Sequence, residues 1–141
     1  MTDYIDFKAL ERPSSPNTYL LAPAGVCEQA EPDQSSPQYP ASPDAVFSAC
    51  RKVIDGQKNW SLVSADADSG KIRFVSVSPL MRYKDDIDIA VLPGPDGASS
   101  AQLAVYSRSR IGYSDMGANA KRVALLLEQL GQEGLSSETT P

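Results

Sequence analysis

Asp86-Ile87-Asp88-Ile89-Ala90-Val91-Leu92, followed by Pro93-Gly94-Pro95-Asp96-Gly97, decides the fold. Ile87, Ile89 and Val91 alternate with Asp86, Asp88 and Ala90, the period of a strand with one apolar face. The proline- and glycine-rich run after it is a turn. From Ala101 to Ile111 a second strand follows, with Leu103 and Val105 inward. Two strands joined by so short a turn pair antiparallel.

The same period extends backwards. Lys71 to Ser78 alternates, with Ile72 and Phe74 on one face. Asp66 to Gly70 is a turn, and Trp60 to Ala65 is a short strand. Four consecutive strands on short loops make an antiparallel meander.

Helices flank the meander. Ser42-Pro43-Asp44 reads as an N-cap, a proline at the first helical position and an acid in the first turn. Val46, Phe47, Ala49, Cys50, Val53 and Ile54 then follow helical spacing, and Asp55-Gly56 ends the run. Ala118 to Leu130 is the second helix, with Val123, Leu126, Leu127 and Leu130 as its buried stripe. Ser114 or Asp115 is expected to cap it, and Gly131 to close it.

Residues 1–41 read differently. Pro13, Pro16, Pro23, Pro32, Pro37 and Pro40 exclude a long helix there. Tyr4, Phe7, Leu10, Tyr19, Leu20, Leu21 and Val26 are too apolar for a solvated tail. The expectation is an extended arm packing on the domain, with a loop around 28–37 and a short strand near Gln38-Tyr39. The expected division is an arm over 1–41, an α-β-β-β-β-α domain over 42–131, and a disordered tail over 132–141. The fold class expected is α+β: a four- to five-stranded antiparallel sheet with both helices on one face. The element order parallels the helix-grip and TATA-box-binding-protein-like architectures.

Composition bounds the function. The 141 residues suit one domain. A formal net charge of −5 argues against nucleic acid or an anionic membrane as a general partner, though it leaves room for a local basic patch. No histidine is present, which removes the commonest general base and metal ligand. No metal or cofactor motif is visible, and no window is long and apolar enough to span a membrane. The first residues do not form a signal peptide, so the cytoplasm is the expected compartment, with Cys27 and Cys50 reduced. Cys50, on the apolar stripe of its helix, reads as a core thiol.

Polar chemistry concentrates after the last strand, in Ser107-Arg108-Ser109-Arg110-Ile111-Gly112-Tyr113-Ser114-Asp115. Alternation sets Tyr106, Arg108 and Arg110 on one face, across from Asp86 and Asp88. The plainer reading is a structural Arg-Asp ladder, at about 0.2–1 kcal/mol per cross-strand pair. In that reading Arg110 is structural and its loss lowers the melting temperature. The sharper reading is a binding site for a small anionic ligand, formed by Arg82, Arg108, Arg110, Tyr113, Asp115 and Asn119 beside the start of the second helix. Asp115 would compete with an anion there. Asn119 and Arg122 share one side of that helix and can bridge back to the Gly112–Asp115 turn. The expected function is a non-catalytic binding or interaction module, for an anionic small molecule or a protein partner. The alternative is a hydrolase or lyase with Asp115 or Asp86 as base and Tyr113 or Arg110 as helper. A carboxylate among arginines has a lowered pKa, which weakens it as a base.

Several of these segments carry a family resemblance. They are Asp6-Phe7-Lys8-Ala9-Leu10 with Arg12-Pro13, Pro16-Asn17, Tyr19-Leu20-Leu21, and Arg82 before Asp85-Asp86. The most specific runs from Ser107-Arg108-Ser109-Arg110 through Gly112-Tyr113-Ser114-Asp115, Gly117 and Asn119 to Lys121-Arg122-Val123. Over about residues 5–131 the chain resembles the domain of unknown function family 1499 (DUF1499). The resemblance implies an ordered N-terminal arm and brings no activity with it.

Overall fold

The computed structural model describes residues 4–135, so most of the expected tail, 136–141, lies outside the described residues. In chain order the elements are β1 (Thr18–Ala22), β2 (Gln34–Ser35), β3 (Gln38–Tyr39), α1 (Pro43–Gly56), β4 (Trp60–Asp66), β5 (Lys71–Val77), β6 (Lys84–Gly94), β7 (Gly97–Ser109) and α2 (Ala118–Gln132). The β4–β7 meander is present as the alternation predicts. Its hairpins are tighter than expected: β6 runs through Pro93-Gly94 and β7 resumes at Gly97. At the β4–β5 turn, Gly70 has a φ of +70, and a Cβ there would stand 2.7 Å from the Val91 carbonyl oxygen. Only glycine satisfies both conditions.

The sheet is larger than four or five strands, and it is mixed. Seven strands join in the order β2-β1-β7-β6-β5-β4, with β3 also pairing β7. Three strands beside the meander come from residues 18–39: β3 is the short strand expected at Gln38-Tyr39, and β1 and β2 are additional. β1 pairs antiparallel with the last part of β7, from Thr18↔Arg108 to Leu21↔Val105. β3 pairs with its first part through Gln38↔Gln102 and Tyr39↔Ala101. β2 lies parallel to β1, which makes the sheet mixed. The cause is β7 itself. It is 13 residues long and buried along most of its length, so its second edge must be hydrogen-bonded by something. Segments this short and proline-punctuated carry little local strand signal, which is why sequence periodicity undercounts them.

Both helices lie on one face. Val46, Cys50, Val53 and Ile54 of α1 and Val123, Leu126 and Leu130 of α2 share a core with Ile72, Phe74, Ile87, Ile89, Leu103 and Val105. Leu127 is only half-buried at its edge. Ser42 caps α1, its hydroxyl accepting from the Ala45 amide at 3.1 Å. The other face is small where the arm crosses it. Ala90 pairs with Ala104 across β6 and β7, and Phe7 packs there with Leu20, Ala22 and Tyr106. Burying a phenylalanine stabilises by about 1.5–3 kcal/mol. The two alanines leave the depth that the ring occupies.

Two expectations about α2 need correction. Neither Ser114 nor Asp115 is the N-cap residue; that position is Gly117, in a left-handed conformation with φ 81. Asp115 still serves the helix start, accepting from the Gly117 amide at 2.8 Å and the Asn119 amide at 3.1 Å. Nor does Gly131 close the helix. It continues to Gln132, and Gly134 adopts φ +93 just beyond. A glycine inside a helix costs about 1 kcal/mol against alanine, which packing by Leu130 readily offsets. Cys27 and Cys50 are free thiols, and burial pushes Cys50 up to about 12.

Candidate functional site

The polar residues around the end of β7 divide into two networks, one on each face of the sheet. Strand alternation does the dividing. On the outer face Asp88, 1% exposed, receives Arg73 and Arg108 together, with Arg73 Nη2 at 3.1 Å and Arg108 Nη1 at 2.8 Å. Arg108 also lies over the Tyr106 ring, 5.1 Å from its centre. Nearer the surface Arg110 grips Asp86 with two hydrogen bonds of 2.9 Å. Those bonds, with lesser help from the charges of Arg108 and Arg73, hold the Asp86 carboxyl below its ordinary range despite partial burial. Asp86 pairs in register with Arg108 and Asp88 with Tyr106, so the Arg108–Asp88 and Arg110–Asp86 pairs run diagonally, while Arg73 stands directly across from Asp88.

The inner network is built around Asn119, on the first turn of α2 and fully buried. Its side-chain nitrogen donates to the Asn17 carbonyl at 3.0 Å, to Ser109 Oγ at 3.0 Å and to Asp115 Oδ2 at 2.7 Å. Its side-chain oxygen accepts from the Ser107 hydroxyl at 2.6 Å and from Arg122 at 2.8 Å. Arg122 closes the network through an ion pair with Asp85, at 2.8 Å. Asn17 returns the contact from the arm, donating to the Gly112 carbonyl at 2.7 Å. Burial pushes the Asp115 carboxyl upward. The Asn119 side chain and the Gly117 and Asn119 amides together outweigh it, and the pKa lies below its ordinary value.

The six residues singled out in the sequence therefore do not converge. Arg108 and Arg110 stand on the outer face, each on an aspartate. Asp115 and Asn119 belong to the inner network. Tyr113 is 73% exposed in the β7–α2 loop. Arg82 lies exposed in the β5–β6 loop and makes no ion pair among the described residues. The amides at the start of α2 that an anion would use are taken by Asp115.

Sequence reading missed Asp85, Ser107 and Asn17 as members of the inner network. Two of them left a signal. Asp85 shares parity with Ile87 and Ile89, and Ser107 with Leu103 and Val105, so both are polar residues at core-facing positions. Asn17 left none, since its place depends on the arm crossing to β7.

The inner network floors a cleft of about 290 Å³ between the β5–β6 and β7–α2 loops. Asp85, Arg122 and Ser109 lie at its base, and Tyr83, Ile111 and Met116 line its walls. The Ser78 amide donates to the Tyr83 carbonyl at 2.9 Å and the Ser78 hydroxyl accepts from the Tyr83 amide at 2.8 Å, closing the first loop. Each loop contains a non-glycine residue in left-handed backbone, Arg82 at φ 57 and Met116 at φ 55. Each such residue costs about 1–2 kcal/mol, and such strain gathers at functional segments. Among the described residues no group of three or more acids, cysteines or histidines is placed to hold a metal ion.

The family described as "Protein of unknown function (DUF1499)" matches residues 10–130, and the chain belongs to it. No curated protein matches the chain. Among solved structures it is similar to TTHA0849 from Thermus thermophilus, at 10% identity and a TM-score of 0.35, over 69% of this chain and 92% of that one. It is similar to Ara h 8.0201 at 12% identity and a TM-score of 0.35, over 69% of this chain and 93% of that one.

Proposed function

We propose that this chain is a non-catalytic binding module, and that its ligand enters the cleft between the β5–β6 and β7–α2 loops. The observation that carries this reading is the cleft's chemistry. Apolar walls of Tyr83, Ile111 and Met116 stand over a base with one tightly held polar pair, Asp85 and Arg122. Small-molecule sites commonly combine apolar walls with a few placed polar groups.

The ligand class follows from the charge. Asp85 already neutralises Arg122, and Asp115 stands beside it, so an anion would have to displace a carboxylate. A ligand with an apolar body and a neutral hydrogen-bonding head meets no such penalty. Arg108 and Arg110, engaged on the outer face, serve the fold in this reading. Catalysis gains no support from the acids. Asp86 and Asp115 both have lowered pKa values, which suits neither to general-base work near neutrality.

A thermal-shift screen tests the reading. Small apolar-bodied alcohols and amides are compared with carboxylates and phosphates, on the wild type and on Ile111→Asp. A ligand at about 100 times its Kd adds roughly 2.7 kcal/mol, a visible rise in Tm. The expected result is a rise with the neutral class that Ile111→Asp abolishes. Stabilisation by anions alone would replace this ligand class, and no stabilisation by any class would remove the proposal.

A further inference from the structure

The loops around the cleft also carry the largest exposed apolar side chains of the described residues. Leu80 is 89% exposed, Met81 61%, Ile111 65% and Met116 87%. Tyr83, 49% exposed, and Tyr113, 73% exposed, stand beside them. The two loops are neighbours, because β6 begins where β7 ends, with Asp85 opposite Ser109. Side chains this large seldom gather on a surface without a partner.

The charges at this end oppose the charge of the chain. Lys58, Arg82, Lys84 and Lys121 are exposed there and make no ion pair among the described residues. Lys58 and Arg82 border one depression against Ser78 and Pro79, and Lys58 and Lys121 border its neighbour. Three of the four acids of this end are engaged, Asp85 by Arg122, Asp86 by Arg110 and Asp115 by α2, and Asp55, exposed near Lys58, is outnumbered by the four cations. The exposed acids Asp66, Asp68 and Asp96 lie in the turns at the opposite end of the same strands. A net charge of −5 thus hides a polarised molecule. Screening acts over roughly 8 Å at physiological salt, so a surface meeting the basic end feels little of the acidic one.

We propose that this loop end docks on an anionic lipid bilayer, with Leu80, Met81, Ile111 and Met116 entering the interfacial layer and Lys58, Arg82, Lys84 and Lys121 meeting the headgroups. The occupant is read from two features. The apolar groups project from loop tips, which a bilayer accepts without a shaped counterpart, and the cations ring them as headgroup contacts require. Tyr83 and Tyr113 supply the amphipathic rings favoured at that depth. Among the described residues no helix is long and apolar enough to cross a membrane, so the contact proposed is peripheral. Ile111 and Met116 are shared with the cleft's walls, whereas Leu80, Met81 and the four cations stand outside it.

Sedimentation of the full chain with vesicles tests the proposal. One set is phosphatidylcholine alone; the other is phosphatidylcholine and phosphatidylserine in a two-to-one ratio. The wild type is expected to pellet with the second set, and high salt to release it. Arg82→Glu with Lys84→Glu should weaken binding by about twenty-fold or more, at roughly five-fold for each cation near the surface. Leu80→Ser with Met116→Ser should weaken it by about ten-fold or more. All four positions are exposed, so both variants should keep the wild-type Tm. Val63→Ser, on the edge strand β4, should bind as the wild type does. No pelleting with phosphatidylserine, equal pelleting with phosphatidylcholine alone, or indifference to Leu80→Ser with Met116→Ser would each overturn the proposal. Self-association that needs Leu80 and Met116, without vesicle binding, would overturn it in favour of a protein partner.

Discussion

Asn119, on the first turn of α2, donates its side-chain amide to the backbone carbonyl of Asn17 at 3.0 Å, across 102 positions of sequence. The same Asn17 carbonyl accepts the Ser109 amide at 3.0 Å. The arm, the last strand and the last helix are therefore fastened at one point, under the base of the cleft.

Asn119→Ala should destabilise the protein by about 2–4 kcal/mol. The substitution removes one hydrogen bond each from Asp115 and Arg122, which keep the helix amides and Asp85, and leaves the buried Ser107 O–H without its acceptor, at roughly 1–3 kcal/mol for that donor and about 1 kcal/mol for each other bond lost. Urea denaturation followed through Trp60 fluorescence reads it as a lower midpoint at unchanged slope. A midpoint within experimental error of the wild type would show that water replaces the amide and that the junction is dispensable.

The two outer aspartate sites should differ sharply. Asp88 is almost completely buried between two arginines, so Asp88→Ala strands both and should cost about 3 kcal/mol or more. Arg110 is 46% exposed, and its pair with Asp86 is worth less than about 1 kcal/mol after solvent screening. The expectation from sequence that loss of Arg110 clearly lowers the Tm is thereby reduced to a small effect. Thermal melts of Asp88→Ala and Arg110→Ala beside the wild type check the order, and equal losses would contradict it.

Stability should fall in acid through Asp86 and Asp115. Both have folded pKa values below the ordinary value, Asp86 chiefly through Arg110 and Asp115 through its hydrogen bonds against the pull of burial. A depressed folded pKa contributes stability that is present above the unfolded value, about 3.9, and lost as pH falls through the folded one. Tm should drop below about pH 4, and Asp115→Asn should flatten that drop while starting from a lower Tm at neutral pH. An identical acid slope in Asp115→Asn would show that other carboxylates carry the effect.

Part of this protein was readable residue by residue. The strand alternation of 60–109, the Ser42-Pro43 start of α1 and the apolar stripe of α2 all report local geometry, since period 2 and period 3.6 are fixed by the backbone. That alternation also placed Asp86 and Asp88 on the same face as Arg108, because parity and a short turn determine a hairpin's faces. The α+β class and both helices on one face follow from those elements alone.

The rest depended on contacts distant in sequence. β1 exists as a strand because β7 offers a bare edge and β2 because β1 offers another, and their own five and two residues carry no period to detect, whereas the sequence does point to the short strand at Gln38-Tyr39. The candidate arginine cluster was drawn from neighbours in sequence, but adjacent strand residues point to opposite faces. Arg108 and Ser107 therefore belong to networks separated by the sheet. Asp85 joined Arg122, and Asn17 joined Asn119, only when the strands and α2 were packed together. Sequence determined the elements and their buried faces, because those are properties of a local repeat. Tertiary structure alone decided the cleft, its Asp85–Arg122 base and the basic, apolar rim, because those require residues far apart in the chain to share one end of the sheet.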